Sequence, residues 1–218
     1  MSDLKTYIEH TNLKPDCTQQ DVIKLCEEAL EHGFYGVCVS PYFVQLAKKT
    51  IKKSPTKIIT VVGFPLGYST VAAKVEETKK AIISGADEVD MVMNIAAFKS
   101  GDFVTVLNDI QAVTTACHLQ NKVVKVIIET AYLNNQEIEK ACRLCMDCEV
   151  DFVKTSTGFA STGASVEAVE LMRKTLPSKI KIKAAGGIKD IAFAEKLINA
   201  GAVRLGTSSS LNLVANEE

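Results

Sequence analysis

The sequence predicts an α/β fold, a single (β/α)8 TIM barrel, from three observations. Short runs rich in β-branched residues alternate with amphipathic helical stretches along the chain, and parallel strands need such helical crossovers. Polar side chains recur on one face of several runs, which suits a barrel with an active site at its mouth. Two helix exits, 83–91 and 199–206, share a Gly-Ala turn into a strand, as expected for stacked βα units.

Eight strands are predicted in chain order, the first of them short. They are TYIEHTNL (6–13), GVCVS (36–40), KIITVVGFP (57–65), EVDMVMN (88–94), KVVKVIIET (122–130), DFVKTST (151–157), KIKIKAA (179–185) and VRLGT (203–207). Helical patterns between them include TQQDVIKLCEEALEHG, VAAKVEETKKAIISG, FVTVLNDIQAVTTACH, NNQEIEKACRLCMDC, SVEAVELMRKTLP and IAFAEKLINAG. In the first of these, Thr18 is the expected N-cap and Gly33 the C-terminal stop.

We expect residues 1–218 to form one domain, because no Gly-, Pro- or Ser-rich linker divides the chain. An open doubly wound sheet is the competing architecture. The sequence has no G-x-G-x-x-G after its first strand and no G-x-x-x-x-G-K-[ST] motif, which weakens the nucleotide-binding open sheets.

Composition excludes several classes of protein. The chain has 218 residues, is 47% hydrophobic and has a net charge of −1, so we expect no nucleic acid or membrane partner. The N-terminus MSDLKTYIEH lacks the apolar stretch of a signal peptide. Seven cysteines, an odd number, are then expected to be reduced thiols in the cytoplasm.

Strand alternation sorts the polar residues onto one face of their strands. Asp90, Lys125, Lys154 and Lys183 each lie opposite an apolar face, and in a barrel they converge on the interior with Cys38 nearby. A structural ion-pair network is the alternative interpretation of such lysines. Two lysines beside a carboxylate also suit Schiff-base chemistry, because burial and a second ammonium lower the pKa of an amine from about 10.4.

Glycine-rich turns follow the last two predicted strands, AAGGIKD (184–190) and GTSSSLN (206–212). These are the loops where barrel enzymes often bind phosphate, and TSTGFASTG (155–163) has similar chemistry on the preceding loop. A plain tight turn is the alternative for each loop taken alone.

Two other patterns are discounted. Cys142, Cys145 and Cys148 form C-x-x-C-x-x-C, but they fall on a helical stripe without a fourth ligand, so no metal site is predicted. The three histidines are scattered; His10 ends the first strand and could reach the mouth, although a structural role is expected.

FVKTSTGF, KAAGGI, GTSS, EVDMVMN, KVIIET and GVCVSP together resemble the deoxyribose-phosphate aldolases, a family of class I aldolases, over about residues 6–212. The resemblance implies a cytosolic (β/α)8 barrel that needs no cofactor or metal. It also implies reversible cleavage of 2-deoxy-D-ribose 5-phosphate to acetaldehyde and glyceraldehyde 3-phosphate, so the partner is a small phosphorylated sugar. The oligomeric state stays open, with a homodimer as one option.

The resemblance also assigns roles to the residues. Lys154 forms the Schiff base, Lys183 is the ammonium that lowers its pKa, and Asp90 transfers protons. Lys125 and Cys38 support the same pocket. The phosphate cradle is then formed by Gly158, Gly186, Gly187, Gly206, Ser208 and Ser209.

The sequence departs from the family pattern at two points. Glu9, in IEHTNL, stands where an aspartate is usual, so the charge is kept but the proton network shifts. The tail LVANEE lacks the terminal tyrosine that some members use in proton exchange.

Other functions share parts of this pattern. An aldolase for another sugar phosphate shares most of it, and a ring-opening isomerase shares the phosphate loops but needs no lysine pair. A non-catalytic sugar-phosphate binder keeps the loops and gains nothing from a desolvated lysine.

Overall fold

A computed structural model describes residues 4–215. Eight strands pair in chain order, and all pairings are parallel. They are β1 (Ile8–Asn12), β2 (Gly36–Val39), β3 (Lys57–Val62), β4 (Glu88–Val92), β5 (Val123–Ile127), β6 (Phe152–Lys154), β7 (Lys181–Ala185) and β8 (Arg204–Thr207). β1 also pairs with β8, Ile8 opposite Leu205, so the sheet closes. This confirms the predicted barrel over the open sheet.

Helices connect the strands and cover the barrel. They are α1 (Gln19–His32), α2 (Val44–Ile51), α3 (Val71–Ser84), α4 (Ile95–Lys99), α5 (Phe103–His118), α6 (Asn135–Asp147), α7 (Val166–Thr175), α8 (Ile191–Asn199) and α9 (Ser210–Val214). Short 3-10 turns occupy Leu4–Tyr7, Pro41–Phe43 and Thr130–Tyr132. The six predicted helices are present, and α2, α4 and α9 are additions.

The local signals for helix ends act as predicted. The Thr18 side chain accepts a hydrogen bond from the Asp21 amide, and the Asp21 carboxylate accepts one from the Thr18 amide, which completes a capping box. Gly33 ends α1 in the left-handed conformation, at φ 68°. The two Gly-Ala turns also match each other, since Gly85 has φ 113° and Gly201 has φ 116°.

The hydrophobic core lies mainly between the strands and the helices. The outward-facing residues Val89, Met91, Val124, Val126 and Val153 are buried in this layer. A second, small cluster of Cys38, Ile59 and Val61 fills part of the barrel interior. The predicted sorting of strand faces is therefore confirmed, and the polar residues of β4 to β7 are left for the interior.

Within residues 4–215, no helix is long and apolar enough to cross a membrane. Residues 1–3 and residues 216–218, the end of the tail LVANEE, lie outside the described residues.

Candidate active site

A cavity of about 460 Å³ opens at the carboxyl ends of β1, β6, β7 and β8. In barrels this end carries the active site. All six residues of the expected phosphate cradle line it, namely Gly158, Gly186, Gly187, Gly206, Ser208 and Ser209. Lys154 lines the same cavity. The structure thus brings Lys154 and the residues of the expected phosphate cradle into one cavity.

Two of the mouth loops touch through their backbones. The Ala164 amide donates a hydrogen bond to the Gly186 carbonyl at 3.1 Å. A Cβ atom on Gly163 would lie 2.2 Å from that carbonyl oxygen, and one on Gly186 would lie 3.0 Å from the Gly163 Cα. Only glycine fits at such an approach, so these residues keep the loops after β6 and β7 in register.

Lys154 is the last residue of β6, and its side chain is 3% exposed. Its ammonium donates a hydrogen bond to Asp90 Oδ2 at 2.8 Å. Asp90 comes from β4, two strands away, and is fully buried. The lysine therefore lies at the floor of the cavity, between open space above and a buried carboxylate below.

Lys183 and Lys125 share that carboxylate. Lys183 Nζ lies 2.6 Å from Asp90 Oδ2, and Lys125 Nζ lies 2.9 Å from Asp90 Oδ1. Both lysine side chains are essentially fully buried, and neither lines the cavity. The structure thus brings the three predicted lysines together around one aspartate.

Two glutamates complete the cluster from below. The Glu9 carboxylate of β1 pairs with Lys183, and its Oε1 atom lies 3.6 Å from Lys125 Nζ. The glutamate side chain, one methylene longer than the aspartate usual in the family, thus reaches both lysines. Glu88 of β4 pairs with Lys125 at 2.5 Å and accepts a hydrogen bond from the Tyr35 hydroxyl. Three lysines thus face three carboxylates, and their formal charges cancel inside the barrel. Buried charges persist only when paired in this way.

The lysines respond differently to this environment. Burial lowers the pKa of Lys154; the Lys183 ammonium acts in the same direction, and Asp90 opposes both. Burial alone would also lower the pKa values of Lys183 and Lys125, but their carboxylate neighbours outweigh it and raise both pKa values. Burial likewise opposes ionisation of Asp90, yet Lys125, Lys154 and Lys183 hold its pKa well below the usual range. Lys154 is thus the lysine poised to lose its proton.

Cys38 of β2 is fully buried beside this cluster and outside the cavity lining. Burial raises the pKa of its thiol to about 11. The side chain is therefore a neutral thiol near neutral pH, and it lies beside the cluster, as strand alternation predicted.

His10 also lines the cavity. Its Nδ1 lies 2.8 Å from Ser210 Oγ and its Nε2 lies 2.8 Å from a Glu28 carboxylate oxygen. Both ring nitrogens are thus engaged with protein groups, consistent with the structural role expected for this histidine.

The cysteine motif lies on α6 and its end, where Cys142, Cys145 and Cys148 are buried in the core. Among residues 4–215, no three His, Cys, Asp or Glu side chains come together in a way that could hold a metal ion.

Three residues near the site were missed from the sequence. Glu88 shares the strand face of Asp90, so the same alternation could have identified it. Thr157 lines the cavity, and Glu129 accepts hydrogen bonds from its amide at 3.1 Å and from its hydroxyl. Alternation along KVVKVIIET puts Glu129 on the strand face of Lys125, but the residue sits after β5 in a left-handed turn, at φ 53°.

Comparison with known proteins agrees with this geometry. The DeoC/LacD family aldolase profile matches residues 3–215. A protein from Thermococcus gammatolerans named deoxyribose-phosphate aldolase is 51% identical over 214 residues, covering 97% of this chain and 95% of that protein.

Solved structures agree as well. One described as "QR15, an Aldolase" has a TM-score of 0.94 at 39% identity and covers 100% of this chain and 96% of its own. A deoxyribose phosphate aldolase from Aeropyrum pernix, described as having a unique tetrameric structure, has a TM-score of 0.91 at 28% identity and covers 98% and 90% of the two chains. On its fold and on these matches, the chain belongs to the DeoC/LacD aldolase family.

Proposed function

We propose that this protein is a class I aldolase that reversibly cleaves 2-deoxy-D-ribose 5-phosphate to acetaldehyde and glyceraldehyde 3-phosphate. The observation that carries the proposal is the position of Lys154. Of the three lysines that contact Asp90, it alone lines the cavity, and it alone has a lowered pKa.

The proposed reaction begins at the Lys154 amine, which attacks the aldehyde carbon of the open-chain sugar and, with loss of water, forms a Schiff base. A base removes the proton of the C3 hydroxyl, and the C2–C3 bond breaks. The bonding electrons move into the iminium, which leaves an enamine on Lys154 and releases glyceraldehyde 3-phosphate. Protonation of the enamine at C2 and hydrolysis release acetaldehyde and restore the amine.

Asp90 and Lys183 support these steps from below. Asp90 Oδ2 contacts both Nζ atoms, at 2.8 Å for Lys154 and 2.6 Å for Lys183. One carboxylate can therefore pass a proton between the two nitrogens without moving. Lys183 keeps its charge near neutral pH because its pKa is raised, so it favours the neutral amine on Lys154 by repulsion.

The glycine and serine loops after β6, β7 and β8 are the proposed phosphate cradle. They line the cavity on the side of β7 and β8, with Lys154 at its floor. Backbone amides in such loops bind anions. A substrate held there by its phosphate would extend toward the Lys154 amine, which matches a sugar with an aldehyde at one end and a phosphate at the other.

Borohydride trapping tests the proposal. Reduction in the presence of acetaldehyde or deoxyribose 5-phosphate is expected to add a covalent mass at Lys154, and EDTA is expected to leave activity intact. Lys74 is the internal control, because it is also buried but pairs with Asp109 at 2.6 Å outside the site. Modification at another lysine, or none, would contradict the Schiff-base assignment, and loss of activity with EDTA would point to a metal.

We further propose that residues 1–218 act as one catalytic domain in the cytoplasm, with a homodimer as one option for its assembly. All seven cysteines are free, which supports a reducing compartment. In light scattering coupled to size exclusion, a homodimer would give twice the 23.6 kDa chain mass. Four times that mass would indicate a tetramer, the assembly described for the Aeropyrum pernix protein.

A further inference from the structure

Glu129 is a buried carboxylate outside the lysine cluster. It follows β5, is 1% exposed and has a left-handed backbone at φ 53°. For a residue other than glycine this conformation is unfavourable, and it persists only where the surroundings enforce it. The fold therefore keeps the Glu129 side chain in this position although the backbone conformation is unfavourable.

The Glu129 carboxylate holds the segment that follows Lys154, residues 155–159, which we call the Lys154 loop. Its Oε2 atom accepts hydrogen bonds from the Thr157 amide at 3.1 Å and from the Thr157 hydroxyl. The same hydroxyl oxygen accepts a hydrogen bond from the Phe159 amide at 3.1 Å. One carboxylate oxygen therefore fixes the backbone on both sides of Gly158.

The next residue reinforces this anchor. The Thr130 amide donates to the Thr155 carbonyl at 2.9 Å. The turn after β5 thus forms hydrogen bonds with the Lys154 loop at two points, through the Glu129 side chain and through the backbone of Thr130. Thr157 and Gly158 both line the cavity with Lys154, so the Lys154 loop forms part of the wall of the site.

No cation within residues 4–215 pairs with Glu129, and its Oε1 atom is buried without a hydrogen-bond partner there. A buried carboxylate of this kind destabilises the fold unless its hydrogen bonds compensate. A residue present only for stability would be better served by an apolar side chain.

We propose that Glu129 is a positioning residue for the aldolase reaction: acting through Thr157, it holds the Lys154 loop so that Lys154 and Gly158 face one substrate. This inference rests on the proposed function. Because Gly158 belongs to the proposed phosphate cradle, we expect Glu129 to affect recognition of the substrate phosphate. Loosening the loop should weaken recognition of the phosphate more than the chemistry on the sugar.

The test compares two substrates that differ only in the phosphate. For Glu129→Gln, which removes the charge with little change of shape, we expect kcat/KM for deoxyribose 5-phosphate to fall about tenfold relative to that for deoxyribose, mainly through KM. Glu129→Gly removes the carboxylate and also relieves the left-handed backbone, so it should fold and show a larger loss of selectivity.

Asp151→Asn is the matched control. Asp151 precedes β6 at the opposite end of the barrel, where its carboxylate accepts a hydrogen bond from the Val124 amide of β5 at 2.9 Å. It therefore joins the same two strands by the same kind of contact. We expect this variant to lower stability and to leave the substrate ratio unchanged. An unchanged ratio in both Glu129 variants would overturn the proposal.

Binding of inorganic phosphate separates this inference from the proposed function. If the wild-type protein does not cleave deoxyribose 5-phosphate, the proposed function fails, but calorimetry can still compare phosphate affinities. Weaker phosphate binding by Glu129→Gln than by Asp151→Asn would support the role of Glu129. Equal affinity in wild type and Glu129→Gln would overturn it.

Discussion

The three lysines around Asp90 differ in the number of carboxylates that each one contacts. Lys154 contacts Asp90 alone, Lys183 also contacts Glu9, and Lys125 contacts Glu9, Glu88 and Asp90. All three lysine side chains are almost fully buried, so we attribute the different directions of their pKa shifts to the number of opposite charges around each one. One contact leaves burial dominant, whereas two or three reverse it. The proposed nucleophile, Lys154, is therefore set apart by having the fewest carboxylate partners.

Replacing Lys183 by Met tests this balance. Loss of its ammonium removes a repulsive charge from Lys154 and frees Asp90 to stabilise the protonated amine, and both effects raise the pKa of Lys154. We expect reduced activity whose rising limb in the pH–rate profile moves about one to two units toward higher pH.

Lys181→Met is the control for that experiment. Lys181 lies on the same strand and the same face as Lys183 but is exposed at the start of β7. Its pH profile should match the wild type. A Lys183→Met profile that also matched the wild type would show that Lys183 does not set the pKa of Lys154.

At the residue scale, the sequence predicted the cluster but not its internal order. Strand alternation put Asp90, Lys125, Lys154 and Lys183 on inner faces, and the structure places them in contact. Alternation gives no distances across the barrel, so it could not tell which lysine touches the fewest carboxylates. Here the family resemblance chose Lys154, and the geometry supports that choice on independent grounds.

The ends of the elements were harder to predict than their existence. The run DFVKTST was expected to be strand through Thr157, yet β6 ends at Lys154. The Thr157 amide donates to the Glu129 carboxylate rather than to a neighbouring strand. A run of apolar and β-branched residues indicates a buried segment, whether or not it is a strand. Residues 155–157, which follow β6, are buried as well. The run therefore continues past the point where the sheet stops.

The omission of α2 has a different cause. Its eight residues bury Val44, Ala47 and Ile51, a helical spacing, directly after a 3-10 turn that begins at Pro41. The signal is present but spans only about two turns, too few for the pattern to stand out from a loop.

The capping box of α6 gives a prediction at the element scale. The Asn134 side chain accepts a hydrogen bond from the Glu137 amide at 3.0 Å, and Glu137 accepts one from the Asn134 amide at 2.8 Å. Asn134→Ala removes the first of these bonds and should lower the free energy of unfolding by about 1 kcal/mol in urea denaturation. Gln136→Ala, at an exposed neighbouring position, should change it by less than about 0.5 kcal/mol. Equal effects would contradict the capping role.

Across the whole molecule, the charge cluster joins five of the eight strands. Its members come from β1, β4, β5, β6 and β7, and four of the six ion pairs bridge strands that are not hydrogen-bonded to each other. Taking these charges out of water opposes folding, and the closed barrel tolerates them because each ion faces at least one opposite charge. The site and the stability of the barrel are thus coupled through one network.

A double-mutant cycle on Lys125 and Glu88 measures that coupling. Lys125→Met leaves three carboxylates facing two lysines, and we expect it to lower the free energy of unfolding by about 3–5 kcal/mol. Adding Glu88→Gln restores the balance of charge, so the double variant should be more stable than the sum of the single changes by about 2 kcal/mol. The exposed pair Lys99–Glu137, 2.6 Å apart, is the reference, with an expected coupling below about 1 kcal/mol. Similar coupling energies in the two pairs would mean that water screens the buried charges as strongly as the exposed ones, and would contradict the proposed coupling between the cluster and the stability of the barrel.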